Sequence, residues 1–129
     1  MERYIFIIGT FDTKGEEIRF LRDQILARKQ KVRILDAGIL KPSPSGVDIS
    51  NEQVAIAGGR NLEGLSRQRD RGQAVAVMAA GAARIARELF DKEEIQGIVS
   101  LGGGSGTVIG TRAMRALPVG LPKVMVFSR

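Results

Sequence analysis

The sequence predicts an α/β fold: an open parallel sheet of about four strands in the order 2-1-3-4, with helices on both faces. Three observations predict it. Stretches rich in apolar residues at 4–8, 32–37, 96–101 and 123–127 have the length of buried strands. The segments between them carry helical periodicity or helix-start signals. Strands that alternate with helices pair in parallel, because a parallel pair needs a crossover. Right-handed crossovers then give a three-layer, doubly wound sheet of the Rossmann-like or flavodoxin-like kind.

Each element has its own reason. Tyr4-Ile5-Phe6-Ile7-Ile8, closed by Gly9, is continuous enough to be buried on both faces. Thr13-Lys14-Gly15-Glu16 fits a capping box with Thr13 as N-cap, and Ile18, Leu21, Ile25 and Leu26 give the following helix one apolar stripe. The second strand, 32–37, ends at Gly38. Lys41-Pro42-Ser43-Pro44-Ser45-Gly46 reads as a loop. Ser50-Asn51-Glu52-Gln53 is a second capping box, opening a short helix over 52–57 that Gly58 and Gly59 close. The polar stretch 60–69 is predicted to be an irregular connection. A long helix begins near Asp70, with Val75, Met78, Ala82, Ile85 and Leu89 at spacings of three and four. Its small face of Ala79, Ala83 and Ala86 suits close packing on a sheet. The third strand leads into a glycine-rich segment, then a helix over 108–117. Pro118 and Pro122 bracket a turn before the fourth strand.

Composition narrows the chemistry. A chain of 129 residues suits one domain with a real core, so residues 1–129 are expected to form a single Rossmann-like unit. The absence of Cys excludes disulfides and thiolate metal sites, and the absence of His excludes imidazole ligands, histidine bases and Ser-His-Asp triads. The net charge of +6 favours anionic partners. Acids are interleaved with the bases, and five Phe, one Tyr and no Trp give no aromatic platform for stacking bases. The basic stretch 60–71 therefore reads as a solvated surface, and nucleic acid is not an expected partner. No apolar segment approaches the roughly 20 residues needed to span a bilayer. The N-terminal residues do not resemble a signal peptide, so a cytoplasmic location without membrane association is expected.

In doubly wound sheets, ligands bind beyond the carboxyl ends of the strands where the winding reverses. With the order 2-1-3-4 that point lies between strands one and three. Two ligand-like loops leave those strands: 9–15, and Gly102-Gly103-Gly104-Ser105-Gly106-Thr107. Glycine lets backbone N–H groups approach a ligand closely, and at a helix start they coincide with the positive end of the macrodipole. The amides of Gly103, Gly104, Ser105, Gly106 and Thr107 are expected to hold phosphate oxygens, with hydroxyls from Ser105 and Thr107. Gly9 and Gly102, which open the two loops, are counted with them as candidate cofactor-binding residues. Thr10 and Thr13 are candidate phosphate donors and Lys14 a neutralising cation. Asp12 is the candidate Mg²⁺ ligand through water, and Asp36 the candidate acceptor for a ribose hydroxyl. No G-x-x-x-x-G-K-[ST] pattern is present, so this is not a Walker-type loop. The leading expectation is a nucleotide-binding module, with ATP and Mg²⁺ as ligands and no assigned catalytic residue. The rivals are an enzyme subdomain acting on a phosphorylated or carboxylated small molecule, with Asp12 as its base, and a structural or oligomerising half-domain.

At these residues the chain resembles the Tm-1-like ATP-binding family. The resemblance lies in Gly9-Thr10-Phe11-Asp12-Thr13-Lys14-Gly15-Glu16-Glu17, Val47-Asp48-Ile49-Ser50, Arg71-Gly72-Gln73-Ala74-Val75 and the segment 97–107. Ala113-Met114-Arg115-Ala116-Leu117-Pro118-Val119-Gly120 and Pro122-Lys123-Val124-Met125-Val126 complete it. It covers nearly the whole chain and implies an ATP-binding, Rossmann-like half-module. Members of that family are longer, with a second Rossmann-like lobe beyond the position of Val126. The resemblance thus implies a C-terminal lobe as partner, while an uncovered sheet face or edge beside the last strand is the separate ground for expecting a second copy.

Overall fold

A computed structural model describes residues 2–67 and 69–127. The elements run β1 (Tyr4–Gly9), α1 (Phe11–Ala27), β2 (Val32–Asp36), α2 (Asn51–Ala57), α3 (Leu62–Arg67), α4 (Arg71–Asp91), β3 (Ile95–Gly102), α5 (Gly104–Arg115) and β4 (Lys123–Phe127). The four strands form one parallel sheet in the order β2-β1-β3-β4, as the sequence predicts.

Alternation along each strand sends side chains to two helical layers. Phe6 and Ile8 of β1, Leu35 of β2 and Ile98 of β3 pack with α2, α3, α4 and α5 in the larger core. Ile7, Ile34 and Leu101 point the other way, onto Ile18, Leu21 and Ile25 of α1. Of the small face expected on α4, Ala79 and Ala86 lie in the larger core with Ala82 beside them, whereas Ala83 is buried outside it. Helix α5 approaches β3 closely at Gly110, where a Cβ would stand 2.1 Å from Ser100 Oγ. That serine is fully buried and donates to the carbonyl of Ile8 at 3.1 Å, tying β3 to β1.

Several boundaries differ from the sequence reading. Helix α1 starts at Phe11 with Thr10 at the N-cap, ahead of the expected Thr13–Glu16 box. Lys14 has φ −130° and ψ 25°, so residues 11–13 form a separate first turn and the regular helix begins after Lys14. The stretch 60–69 contains α3, held by the fully buried Leu65. One helix turn and a half carries too few apolar residues to show a period. Helix α5 starts at Gly104, so most of the glycine-rich segment is its first turn rather than a loop before it. The capping box at Ser50 and Gln53 forms in full, and Asp70 caps α4 by accepting from the Gln73 amide.

Candidate functional site

The winding reverses between β1 and β3, and there the chain forms a cleft of about 420 Å³. Its floor comes from the turn after β1 and from the start of α5. The segment after β2 and the first turns of α4 supply its walls. Of the residues selected from sequence, Thr10, Asp12, Thr13, Lys14, Gly103, Gly104, Ser105 and Gly106 line it. The two loops therefore share one rim.

The two helix starts are electrostatically unequal. At α1 the Phe11 amide donates to Asp36 Oδ1 at 3.0 Å, and the Thr13 and Lys14 amides donate to the carbonyl of Thr10. The positive end of α1 is thus already served by a buried carboxylate. At α5 the Thr107 amide bonds the carbonyl of Gly103 at 2.9 Å and closes the first turn. The amides of Gly104, Ser105 and Gly106 have no acceptor among the described residues. An ideal Cβ on Gly104 would meet nothing within 4 Å, so the space beside it is open.

Asp36, Gly9, Gly102 and Thr107 do not line the cleft. Asp36 is 1% exposed, and its oxygens accept from the amides of Phe11 and Gly38 and from Ser43 Oγ. Its carboxylate is used in joining loops, which displaces the ribose role expected from sequence. A Cβ on Gly9 would lie 2.4 Å from Ile18 Cδ1, and one on Gly102 2.6 Å from Gly106 Cα. These two glycines serve the close approach of helix to strand. The Thr107 hydroxyl donates to the Gly103 carbonyl, so it stabilises the turn rather than facing the cleft.

Asp12 has a role that sequence did not show. Its Oδ2 accepts the amides of both Ile39 and Leu40 at 3.0 Å, strapping the segment after β2 to the start of α1. Gly38 allows this, since a Cβ there would sit 2.8 Å from the Asp12 carboxyl. Asn51, fully buried, completes the wall: its Nδ2 donates to the carbonyls of Gly38 and Lys41 at 2.8 Å. Its Oδ1 accepts the Ser43 amide at 3.2 Å. The sequence presents Asn51 only as part of a capping box, and nothing local reveals these longer-range bonds.

The cations of the cleft are Lys14 and Arg71. Lys14 Nζ lies 3.7 Å from Glu17 Oε2. Arg71, at the first turn of α4, forms no ion pair among the described residues. Sequence reading missed it, because the basic stretch it closes is read as solvated surface. Ala37, Ile39, Val75, Ile109 and Phe127 give the cleft an apolar side. The hydroxyls of Thr10 and Thr13 lie 2.7 Å apart and bond each other.

This sheet, wound both ways from β1 and β3 with a cleft at the reversal, defines a domain of the general nucleotide-binding-fold type. Residues 3–128 match the N-terminal domain of the Uncharacterised protein family (UPF0261), and the chain belongs to that family. It is 45% identical over 126 residues to a UPF0261 protein of Clostridium tetani, covering 98% of this chain and 31% of the relative. A UPF0261 protein of Mesorhizobium japonicum is 44% identical over 124 residues, 95% of this chain and 30% of the relative. The ToMV susceptible protein tm-1(GCR26) of Solanum lycopersicum is 30% identical over 137 residues, 95% of this chain and 18% of that protein. The chain thus spans about a third of the length of the bacterial relatives it matches. No described helix is long and apolar enough to cross a membrane.

Proposed function

We propose that the chain is a nucleotide-binding module whose cleft takes the phosphates of ATP at the start of α5. One observation carries this reading. The amides of Gly104, Ser105 and Gly106 lack acceptors among the described residues and border the cleft that Lys14 and Arg71 also line. Unpartnered amides at a helix start, with two cations nearby, suit an anion far better than a neutral ligand. The cleft's volume falls within the ordinary range of small-molecule sites, and its apolar side suits the remainder of a nucleotide.

Mg²⁺ fits this reading as a companion of the phosphates. Among the described residues no three His, Cys, Asp or Glu side chains cluster as a metal cage. A magnesium ion bound with a nucleotide is held chiefly by phosphate oxygens and water, with one or two carboxylates. Asp12 is the carboxylate that borders the cleft, and the metal would neutralise charge on the phosphates. The finer placement among Tm-1-like ATP-binding proteins draws support from the identity with the tomato protein and from the segment 9–17.

Calorimetry with ATP, with and without Mg²⁺, tests the proposal. Binding is expected in both titrations, tighter with the metal; no heat at millimolar nucleotide contradicts it. Gly104→Val is expected to abolish binding without unfolding the chain, since the new side chain enters open space at the rim. Unchanged affinity in that variant removes the α5 start from the site.

A further inference from the structure

A parallel sheet is normally covered on both faces. Here α5 covers β3 and β4 on the larger core's side, where Met125 packs. The opposite face carries only α1 among the described residues. Val124 and Val126 pair in register with Val99 and Leu101, so they share the α1 face. They remain 53% and 39% exposed, and Phe20 on α1 is 66% exposed. Between α1 and β4 runs a groove lined by Glu16, Glu17, Phe20, Leu21, Leu101 and Val126. The outer edge of β4 has no strand partner among the described residues, whereas the outer edge of β2 is bordered by Asp48 and Ile49. Contiguous exposed apolar surface of this kind marks a binding face.

We propose that this groove is the seat of polypeptide that lies beyond the matched segment in UPF0261 proteins, docking as a helix with an apolar face. The comparisons favour that occupant. The match is to the family's N-terminal domain and ends at residue 128, one residue past the last of β4 in sequence. The relatives carry about two-thirds of their length outside the matched region. In them the continuing chain leaves next to the apolar patch, which gives it a high effective concentration there. Glu16 on the rim, beside a Glu17 that already meets Lys14, favours a basic residue at the adjoining end of the docked helix. The inference uses a different face from the nucleotide cleft and stands independently of it.

Hydroxyl-radical footprinting read residue by residue tests it. In this chain alone, Phe20 and Val126 are expected to oxidise at a rate independent of protein concentration. In a chimera whose residues 1–127 run on into the Clostridium tetani sequence beyond its matched segment, oxidation at both is expected to be lost. Leu40 and Ile56, exposed elsewhere on the surface, keep theirs. Equal oxidation of Phe20 and Val126 in the two proteins overturns the proposal. Protection that grows with concentration in this chain alone also overturns it, and assigns the groove to a second copy. For a chimera that does not fold, the full-length Clostridium tetani relative is footprinted instead. Oxidation at its side chains aligned with Phe20 and Val126 as fast as at those aligned with Leu40 and Ile56 overturns the proposal, and protection there supports it.

Discussion

Asp36 Oδ1 accepts the backbone N–H of Phe11 at 3.0 Å, so a buried carboxylate from β2 occupies the start of α1. The same oxygen holds Gly38 and the other holds Ser43. One side chain therefore joins three segments and leaves the start of α5, not that of α1, open to an anion. Asp36→Ala leaves three donors without an acceptor and is expected to cost about 3 kcal/mol of stability, read from urea unfolding. A cost near zero would show that these donors find other partners.

The glycines around the cleft divide into two kinds. A Cβ on Gly110 would stand 2.1 Å from Ser100 Oγ, and one on Gly102 2.6 Å from Gly106 Cα. Ala at either position overpacks the α5–β3 contact and is expected to destabilise by roughly 1–3 kcal/mol. Gly104→Ala meets no neighbour and is expected to leave the thermal midpoint unchanged or raise it. Equal destabilisation at all three positions would contradict the packing described for α5.

Asp12 is expected to act on binding through the Ile39–Leu40 segment as well as through any metal. In Asp12→Ala the amides of Ile39 and Leu40 should exchange hydrogen faster, and ATP affinity should fall even without Mg²⁺. A fall seen only with Mg²⁺ would limit Asp12 to holding the metal.

Arg71 supplies charge to the rim of the cleft. Arg71→Gln is expected to weaken ATP binding about tenfold, roughly 1.4 kcal/mol, and to flatten its dependence on salt. An unaltered salt dependence would place the guanidinium outside the site.

Glu2 tests the opposite case. Its hydrogen bond to Lys31 holds the carboxyl below its usual value, but the pair is exposed. Any stability it contributes is present above the carboxyl's unfolded pKa and is lost as pH falls through the lowered folded one. Solvent screening makes that contribution small, so Glu2→Gln is expected to unfold at the wild-type urea concentration at neutral pH. A clear shift would show that the pair anchors the approach to β1.

The sheet was legible in the sequence because buried parallel strands are continuous apolar runs, as in Ile5-Phe6-Ile7-Ile8, and because crossovers admit few orders. The cap at Ser50 was legible because capping is local, and the start of α4 near Asp70 was legible from the apolar spacing that follows it. The start of α1 was not. Its first turn, residues 11–13, meets Asp36 twenty-five residues from Phe11, and the local Thr13–Glu16 pattern marks only the regular helix after Lys14. The meeting of the two loops followed from topology. The internal use of Asp36 and of the Thr107 hydroxyl did not, because a polar side chain near a predicted cleft looks the same in sequence whether it faces ligand or backbone. Arg71 was hidden for the converse reason: α4 brings it to the rim from a stretch that is otherwise solvated.

The nucleotide cleft works as proposed only if the first amides of α5 receive phosphate. Amide proton and nitrogen shifts of Gly104, Ser105 and Gly106, followed by NMR during titration with ATP, test it most directly. Saturable shifts of these three, larger than those of Phe11 and Thr13 at the start of α1, are the predicted result. Amides of α5 that stay still while ATP binds, or while millimolar ATP leaves the whole spectrum unchanged, would contradict it.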